Sequence, residues 1–126
     1  MQNNIKLLQR FENIARENIT REGRCYHMAF IFRGNNILSI GTNSKKTHPK
    51  IKQYGYSDYS KLHAELSACI RLGEEDCRKY CIGVLRIDRN GNLNHSKPCV
   101  HCTALIAQLK FKKVYFTNQF GFWESY

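Results

Sequence analysis

The chain has 126 residues, of which 42% are hydrophobic, and its mean hydropathy is −0.53. The length suits one folded domain over residues 1–126. The composition excludes a disordered chain. No stretch approaches the ~20 apolar residues of a membrane helix, and the N-terminus lacks the apolar core of a secretory signal, so a cytoplasmic protein without a membrane partner is expected. The 20 lysines and arginines outnumber the 10 aspartates and glutamates. The formal net charge of +10 favours anionic partners such as nucleotides or nucleic acid.

The first half of the chain predicts one helix and one hairpin. Apolar residues at three- and four-residue steps predict a helix over 3–20. Two apolar runs separated by Gly34-Asn35-Asn36 predict a hairpin with strands Tyr26–Arg33 and Ile37–Thr42. Residues 43–60 show no clear period and predict a long loop, which in a compact domain is usually functional or mobile.

The second half predicts two helices and three strands. They are a helix from Lys61 to near Gly73, a strand over Cys81–Asp88, a turn over 89–92, a helix over about 100–110, a strand over Lys113–Thr117 and a short last strand after a tight turn at 118–121. The order α-β-β-α-β-α-β-(β) predicts an α/β domain in which helices cover one sheet in three layers.

Three short pieces carry the candidate chemistry: His63-Ala64-Glu65, Pro98-Cys99-Val100-His101-Cys102 and Asn43. The first two match the H-x-E…P-C-x-x-C signature of zinc deaminases. Cys99 and Cys102, three residues apart at a helix start, place their sulfurs on one side, and the helix N-terminus favours thiolates. With His63 they form a set of two sulfurs and one nitrogen that suits Zn²⁺ and leaves its fourth tetrahedral position for water.

Neither piece is specific by itself, because C-x-x-C also occurs in redox and structural sites and H-x-E often only caps a helix. Their combination at two predicted helix starts is specific, and a zinc ribbon would need a second cysteine pair of that spacing. Glu65, two residues past His63, is expected to take a proton from the metal-bound water and pass protons to the ring nitrogen and the leaving ammonia. The backbone N–H of Ala64 is a candidate to hold a polar edge of the base.

On these motifs, the chain from about residue 24 to 120 resembles the cytidine deaminase-like superfamily. HAE with PCxxC is similar to deoxycytidylate deaminases and nucleic-acid-editing deaminases, whereas enzymes for free cytidine typically have Cys at the position of His63. The resemblance implies a three-layer α/β/α fold with a mixed five-stranded sheet covered by helices, Zn²⁺ as cofactor, a homo-oligomer, and Asn43 as a hydrogen-bond partner of the substrate sugar. By its ordinary preferences Asn43 is also a turn residue after a strand.

Two features depart from the nucleotide deaminases of that superfamily. The first strand reads HMAFIF where nucleotide deaminases commonly have small residues, so the pocket floor is expected to differ. A tight turn before Phe122 predicts an antiparallel last strand, as in free-cytidine deaminases.

Several other side chains have two interpretations. Cations and tyrosines interleave in the 43–60 loop, either to hold phosphate and stack on bases or as a solvated loop whose tyrosines pack on the core. These residues are Lys45, Lys46, His48, Lys50, Lys52, Tyr54, Tyr56 and Tyr59. Ser96 and Lys97 either contact the substrate or lie in a simple turn, and the turn is favoured. His101 is expected on the surface rather than among the ligands, because the metal ion already has three. Phe120, Phe122 and Trp123 are expected in edge packing or self-association.

The 6 cysteines do not indicate a disulfide scaffold, because a chain without an export signal stays in the reducing cytosol. Cys69 falls on the apolar face of a predicted helix, where a small buried residue is expected. Cys77 and Cys81 could share a second ion with His95, but no ligand pattern supports such a site.

The leading hypothesis is hydrolytic deamination of cytosine to uracil in a nucleotide such as deoxycytidylate (dCMP). The alternative is deamination of cytosine, less favourably adenine, in single-stranded DNA or RNA, with steeply salt-dependent binding. A third hypothesis is a nucleic-acid-binding protein with a structural zinc and no turnover. It is the least favoured, because it gives Glu65 no role.

Overall fold

The computed structural model describes the backbone of residues 2–18, 26–43 and 63–126 and the side chains of residues 5–18, 26–43 and 63–126. The elements are α1 (Gln2–Asn18), β1 (Tyr26–Arg33), β2 (Asn36–Thr42), α2 (Ala64–Leu72), β3 (Cys81–Ile87), β4 (Leu93–Asn94), α3 (Val100–Gln108), β5 (Lys113–Thr117) and β6 (Trp123–Ser125). The predicted loop after Asn43, with its lysines and tyrosines, and the predicted helix start at Lys61 lie outside the described residues.

The strands form one mixed sheet in the order β2-β1-β3-β5-β6, and β4 pairs with β3 outside this path. Strand β1 is antiparallel to β2 and β3, β3 is parallel to β5, and β5 is antiparallel to β6. The mixed sheet and the antiparallel last strand are confirmed, and the two-residue β4 adds a sixth strand to the five predicted. Because β1 is antiparallel to both neighbours, β2 and β3 run in the same direction and their carboxyl ends lie at one sheet edge.

Helices cover both faces of the sheet, which confirms the predicted three layers. On one face the ring of Phe11 in α1 stacks on Phe30 at a centroid distance of 4.1 Å and meets Phe32 edge-on at 5.2 Å. On the other face α2 and α3 pack through Leu66 and Leu105, both fully buried. Strand β1 is central and covered by helices on both faces, so its side chains are apolar on both sides. Met28–Phe32 are therefore all buried.

The end of α2 agrees with the predicted boundary near Gly73, whereas the end of α3 differs from the predicted one. Helix α2 ends where Gly73 adopts a left-handed conformation with φ 72°, and its N–H donates to the carbonyl of Cys69 at 3.0 Å. Helix α3 ends at Gln108, two residues before the predicted limit. Lys110, just after the helix, has a φ of 64°, a left-handed conformation that glycine usually adopts. Because the residue here is a lysine, no sequence signal marks the end of α3.

The last strand is tied to the first helix. The indole Nε1 of Trp123 donates to Glu12 at 2.9 Å, so Trp123 contributes edge packing, whereas Phe120 and Phe122 stay exposed. Within the described ranges, no helix is both long and apolar enough to cross a membrane.

Candidate metal centre and active site

The three predicted metal ligands lie at the starts of two helices. His63 precedes α2 with φ −75° and ψ 153°, and Cys99 precedes α3 with φ −67° and ψ 174°, so both adopt the extended backbone typical of a residue that begins a helix. The sulfur of Cys99 accepts a hydrogen bond from the N–H of Cys102 at 3.5 Å. Cys99 is therefore the N-cap residue of α3, and its sulfur satisfies one of the free N–H groups of the first turn.

The distances between the ligand atoms suit a tetrahedral zinc ion. Nδ1 of His63 is 3.4 Å from Sγ of Cys102 and 3.6 Å from Sγ of Cys99, and the three ligand atoms all lie within 4.8 Å of one another. Zn–S bonds of about 2.3 Å and Zn–N bonds of about 2.0 Å at a tetrahedral angle give a nitrogen–sulfur separation of about 3.5 Å. The residues present therefore fit zinc both in donor type and in spacing.

The protonation state of His63 also suits a ligand. Burial lowers the pKa of His63, and the nearby charge of His101 lowers it further. A lowered pKa favours the neutral imidazole, which is the form that binds a metal ion. His101 itself is exposed, as predicted.

Glu65 lies beside the metal ligands and is almost completely buried, with 6% of its surface exposed. Burial raises the pKa of its carboxyl, while hydrogen bonds from its own backbone N–H and from the side chain of Cys102 lower it. The contact with Cys102 brings the carboxyl to the ligand group. A buried carboxyl with a raised pKa at this place is suited to taking and giving protons.

A close approach between β2 and α2 fixes the helix that carries His63 and Glu65. A Cβ added to Gly41 would lie 2.3 Å from the carbonyl oxygen of Ala64 and 2.3 Å from the backbone nitrogen of Ala68. Only a residue without a side chain therefore lets α2 pack on β2 at this distance. The hydroxyl of Ser39, two residues earlier, donates to the carbonyl of Ala68 at 2.7 Å and binds the same stretch of helix.

A buried hydrogen-bond network fixes the segment before Cys99. The hydroxyl of Ser96 donates to the carbonyl of Val84 at 2.8 Å, lies 2.8 Å from the hydroxyl of Thr117 and accepts from the N–H of Thr117 at 2.8 Å. Thr117 in turn donates from its hydroxyl to the carbonyl of Asn94 at 2.6 Å. Ser96 is thus a link between β3 and β5 rather than a member of a simple exposed turn, and it anchors the chain three residues before the first cysteine ligand.

The two predicted substrate-binding residues lie at neighbouring element ends. Asn43 follows β2, is exposed, and accepts a hydrogen bond through Oδ1 from the N–H of His27 at 3.0 Å. This bond uses the oxygen of the amide, so the Nδ2 group carries the donors that a sugar hydroxyl would need. Ala64 is the first residue of α2, where backbone N–H groups have no partner within the helix. Contact of either residue with substrate stays a prediction.

Two polar side chains near this site were not singled out from the sequence. His27 and Arg86 occupy opposed positions on β1 and β3. Burial lowers the pKa of His27, and the charges of Arg86 and His63 lower it further. The alternation of side chains along each strand could have indicated them, because His27 shares a face with Ala29, and Arg86 with Val84.

The second metal site considered for Cys77, Cys81 and His95 receives no support. Cys77 is fully buried in the apolar core, and within residues 2–18, 26–43 and 63–126 the group formed by His63, Cys99 and Cys102 is the one found with metal-binding spacing.

Comparison with known protein families identifies the chain. The family model for the cytidine and deoxycytidylate deaminase zinc-binding region matches residues 1–118. The chain belongs to this family. The family consists of zinc-dependent hydrolytic deaminases, and the group His63, Cys99 and Cys102 is in position to bind the zinc ion.

Solved structures show the same fold. The cytidine deaminase from Burkholderia pseudomallei aligns over 91% of this chain and 85% of its own, with 17% sequence identity and a TM-score of 0.58. The apo dCMP deaminase from the cyanophage S-TIM5 aligns over 74% of this chain at 24% identity with a TM-score of 0.50, and the aligned part spans 66% of the cyanophage chain. The cytidine deaminase from Mycobacterium leprae aligns over 98% of this chain and 92% of its own, with 16% sequence identity and a TM-score of 0.51. No curated protein sequence gives a significant match.

Proposed function

We propose that this chain removes the amino group of cytosine in a nucleotide such as dCMP and produces the uracil nucleotide and ammonia. The observation that carries the proposal is the buried carboxyl of Glu65 beside three ligand atoms whose separations fit a tetrahedral zinc ion. Three protein ligands leave one position open, which is typical of catalytic rather than structural zinc sites.

In the proposed reaction, water adds its oxygen to C4 of cytosine, the bond between C4 and the amino nitrogen breaks, and ammonia leaves. Zinc held by the three ligands would lower the pKa of bound water to about 7. Glu65 accepts the proton that the water loses and delivers protons to the ring nitrogen and to the leaving nitrogen. Burial keeps this carboxyl away from bulk solvent, which raises its pKa toward the value such two-way transfer needs.

The substrate is held by residues at the same sheet edge. Asn43 binds a sugar hydroxyl through Nδ2, since its Oδ1 is already engaged by His27. The backbone N–H of Ala64 binds a polar edge of the base. By resemblance, His63 favours a nucleotide substrate, because enzymes for free cytidine typically have cysteine at this position. The antiparallel β6, in contrast, is a feature of free-cytidine deaminases, so the assay includes cytidine itself.

The second candidate substrate is cytosine within single-stranded DNA or RNA. The formal net charge of +10 favours it, because cations that displace counterions from phosphates supply most of the non-specific affinity for nucleic acid. A binding protein with a purely structural zinc is disfavoured, since a buried carboxyl beside a three-ligand site would then serve no purpose.

The test measures ammonia release by the zinc-loaded protein from dCMP, cytidine, a single-stranded oligonucleotide with one cytosine, and adenosine. We expect turnover of dCMP, and a loss of roughly 10²–10⁴-fold in kcat for Glu65→Gln. The exposed Glu75→Gln is the matched control, because it removes a carboxylate of the same type away from the site. Normal turnover by Glu65→Gln would refute the proton-transfer role. Tight, salt-sensitive oligonucleotide binding without turnover of any substrate would favour the structural-zinc alternative.

We further infer a cytoplasmic, homo-oligomeric protein. The cysteines among the described residues, Cys69, Cys77, Cys81, Cys99 and Cys102, are free thiols, which supports a reducing compartment. The exposed rings of Phe120 and Phe122, at 72% and 69% exposure beside the edge strand β6, support self-association. Sedimentation of the zinc-loaded protein tests the oligomeric state.

A further inference from the structure

The edge of the sheet remote from the metal centre is rich in cations. The turns at this edge cover residues 33–36, 73–81 and 109–113, and they contain six lysines and arginines but three carboxylates. Strand β3, with 7 residues, separates these turns from the helix starts at the carboxyl edge by about 20 Å. Four of the cations, which we call the basic edge, follow the strand ends: Arg33, Lys79, Lys112 and Lys113.

The register of the sheet places these cations in a line. Cys81 at the start of β3 is paired with Lys113 on one side and with the residue before Arg33 on the other. The N–H of Lys112 donates to the carbonyl of Tyr80 at 2.8 Å, which continues the ladder by one residue. Two inter-strand steps of about 4.8 Å therefore put the backbones of Arg33 and Lys112 about 10 Å apart.

The carboxylates at this edge lie together in the turn after α2 and have other partners. Asp76 forms an ion pair with Arg78 at 2.9 Å, and Glu74 accepts a hydrogen bond from the hydroxyl of Tyr80 at 3.0 Å. Glu75 is exposed. Among the residues that the structure describes, none of these carboxylates forms an ion pair with a member of the basic edge.

The basic edge is accessible to a partner. Three of its members are exposed, and the fourth, Lys113, is half-buried with its Nζ 5.5 Å from the centroid of the Tyr115 ring. Burial raises the pKa of the Cys81 thiol beside them, and the charges of Lys112 and Lys113 lower it. Neighbouring cations repel one another, so a partner that brings phosphates between them is stabilised there.

An exposed aromatic ring continues this line on the next strand. Tyr126 exchanges two backbone hydrogen bonds with Val114, at 2.9 Å and 2.8 Å, so it lies one strand beyond Lys113. The side chain of Tyr126 is 50% exposed, and its ring centroid is 5.9 Å from that of Phe116. From Arg33 to Tyr126 the line crosses four strands and spans about 15 Å. About four nucleotides cover this length at the rise of about 3.4 Å of one stacked strand.

We propose that the basic edge binds the phosphates of single-stranded nucleic acid while Tyr126 stacks on a base, at a site separate from the metal centre. A row of cations beside an exposed ring combines the two contacts used in sequence-tolerant binding of single strands. A duplex keeps its base faces covered, and a lipid surface has no base to stack, so the ring favours the single strand. The bound strand need not be deaminated, so this site does not depend on the proposed function.

The experiment measures the fluorescence anisotropy of a labelled oligothymidylate of about 20 nucleotides with the zinc-loaded protein over a range of salt concentrations. Thymine has no amino group to remove, so binding is measured without turnover. The combined substitutions Arg33→Gln and Lys112→Gln are compared with Arg10→Gln and Arg89→Gln, which remove the same charge from exposed sites outside the basic edge. Tyr126→Ala tests the stacking, and thermal unfolding verifies that each variant is folded.

We expect Arg33→Gln with Lys112→Gln to weaken binding at low salt by about tenfold or more. The slope of log K against log salt should become shallower by about 1.4, because each phosphate contact to a single strand contributes about 0.7. Tyr126→Ala should weaken binding by about fivefold or more without changing the slope. Arg10→Gln with Arg89→Gln should leave the affinity within about twofold of the unaltered protein.

Equal weakening by the two double variants would overturn the assignment, because net charge alone would then explain binding. Displacement of the oligonucleotide by dUMP, but not by the same concentration of inorganic phosphate, would place the strand at the metal centre instead. Tighter binding of a duplex of the same length, or no binding of the single strand at low salt, would also overturn it, even if the protein associates with phosphatidylserine vesicles. Absence of ammonia release from every cytosine substrate would refute the proposed function and leave this result unchanged.

Discussion

Substitution of Ser96 by alanine should weaken both the fold and the metal site. The hydroxyl of Ser96 joins the carbonyl of Val84 to the N–H and hydroxyl of Thr117, with all three partners at 2.8 Å. Ser96 is 5% exposed and Thr117 is fully buried, so water cannot replace the lost hydroxyl. Each buried group left without a partner costs about 1–3 kcal/mol, and with two such groups we expect Ser96→Ala to lower the free energy of unfolding by about 2–4 kcal/mol.

The assay is urea unfolding of the zinc-loaded protein, together with a competition measurement of zinc affinity. Ser125→Ala, an exposed serine on β6, is the matched control and should change the free energy of unfolding by less than about 0.5 kcal/mol. Zinc affinity should fall with Ser96→Ala because the network anchors the chain three residues before Cys99.

A double-mutant cycle with Thr117→Val isolates the network. Thr117→Val removes the hydroxyl that contacts Ser96 and donates to the carbonyl of Asn94. Because each single substitution already removes the contact between the two hydroxyls, the double variant should lose less stability than the sum of the two single losses. A stability change under 0.5 kcal/mol for Ser96→Ala, or strict additivity, would refute this account of how the segment before Cys99 is held.

Three further predictions concern the site and its supports. Gly41→Ala places a Cβ at 2.3 Å from the backbone of α2, so the helix must shift, and both the melting temperature and the zinc content should fall, the latter measured by elemental analysis. Cys99→Ser should abolish stoichiometric zinc binding, whereas Cys81→Ser, which changes a thiol outside the ligand group, should retain one zinc per chain; zinc retention by Cys99→Ser would contradict the ligand assignment. The pKa of His27 is lowered to about 4, below its ordinary value of 6.5. As the pH decreases, His27 is therefore protonated in the unfolded chain before it is protonated in the folded protein. The stability of the metal-free protein should fall as the pH decreases from about 6.5 toward 4. In His27→Gln that part of the acid sensitivity, about 2 kcal/mol between pH 7 and pH 5, should disappear from urea unfolding curves compared at these two pH values.

The strands were predictable where they are covered on both faces. The bounds of β1 and β5 match the predicted ones because uninterrupted apolar runs end there at polar or turn residues. Strand β4 was missed because two residues are too few for any side-chain period to be recognised. The pairing of β4 with β3 comes from the turn over 88–92, in which the carboxylate of Asp88 accepts from the N–H groups of Asn90 and Asn92.

The metal ligands were predictable because their geometry is mostly local. Cys99 and Cys102 are held together by the first turn of one helix, so their spacing in sequence already determines their spacing in space. The polar side chains that the strands place next to one another are different in kind. They come from positions 27, 43, 86 and 94, and only the register between four strands brings them together. That register depends on packing of the whole sheet, which no short motif encodes.

The topology also explains why the predicted metal ligands and Glu65 lie close together. Helix α2 connects β2 to β3 and α3 connects β3 to β5; since these strands run in one direction, both helices begin at the carboxyl edge of the sheet. The predicted metal ligands and Glu65 belong to those two helix starts. Because Ser96→Ala acts on the segment before Cys99 and not on a predicted substrate contact, it should lower the turnover of all cytosine substrates alike. A changed ratio of kcat/KM between two cytosine substrates in Ser96→Ala would contradict this interpretation.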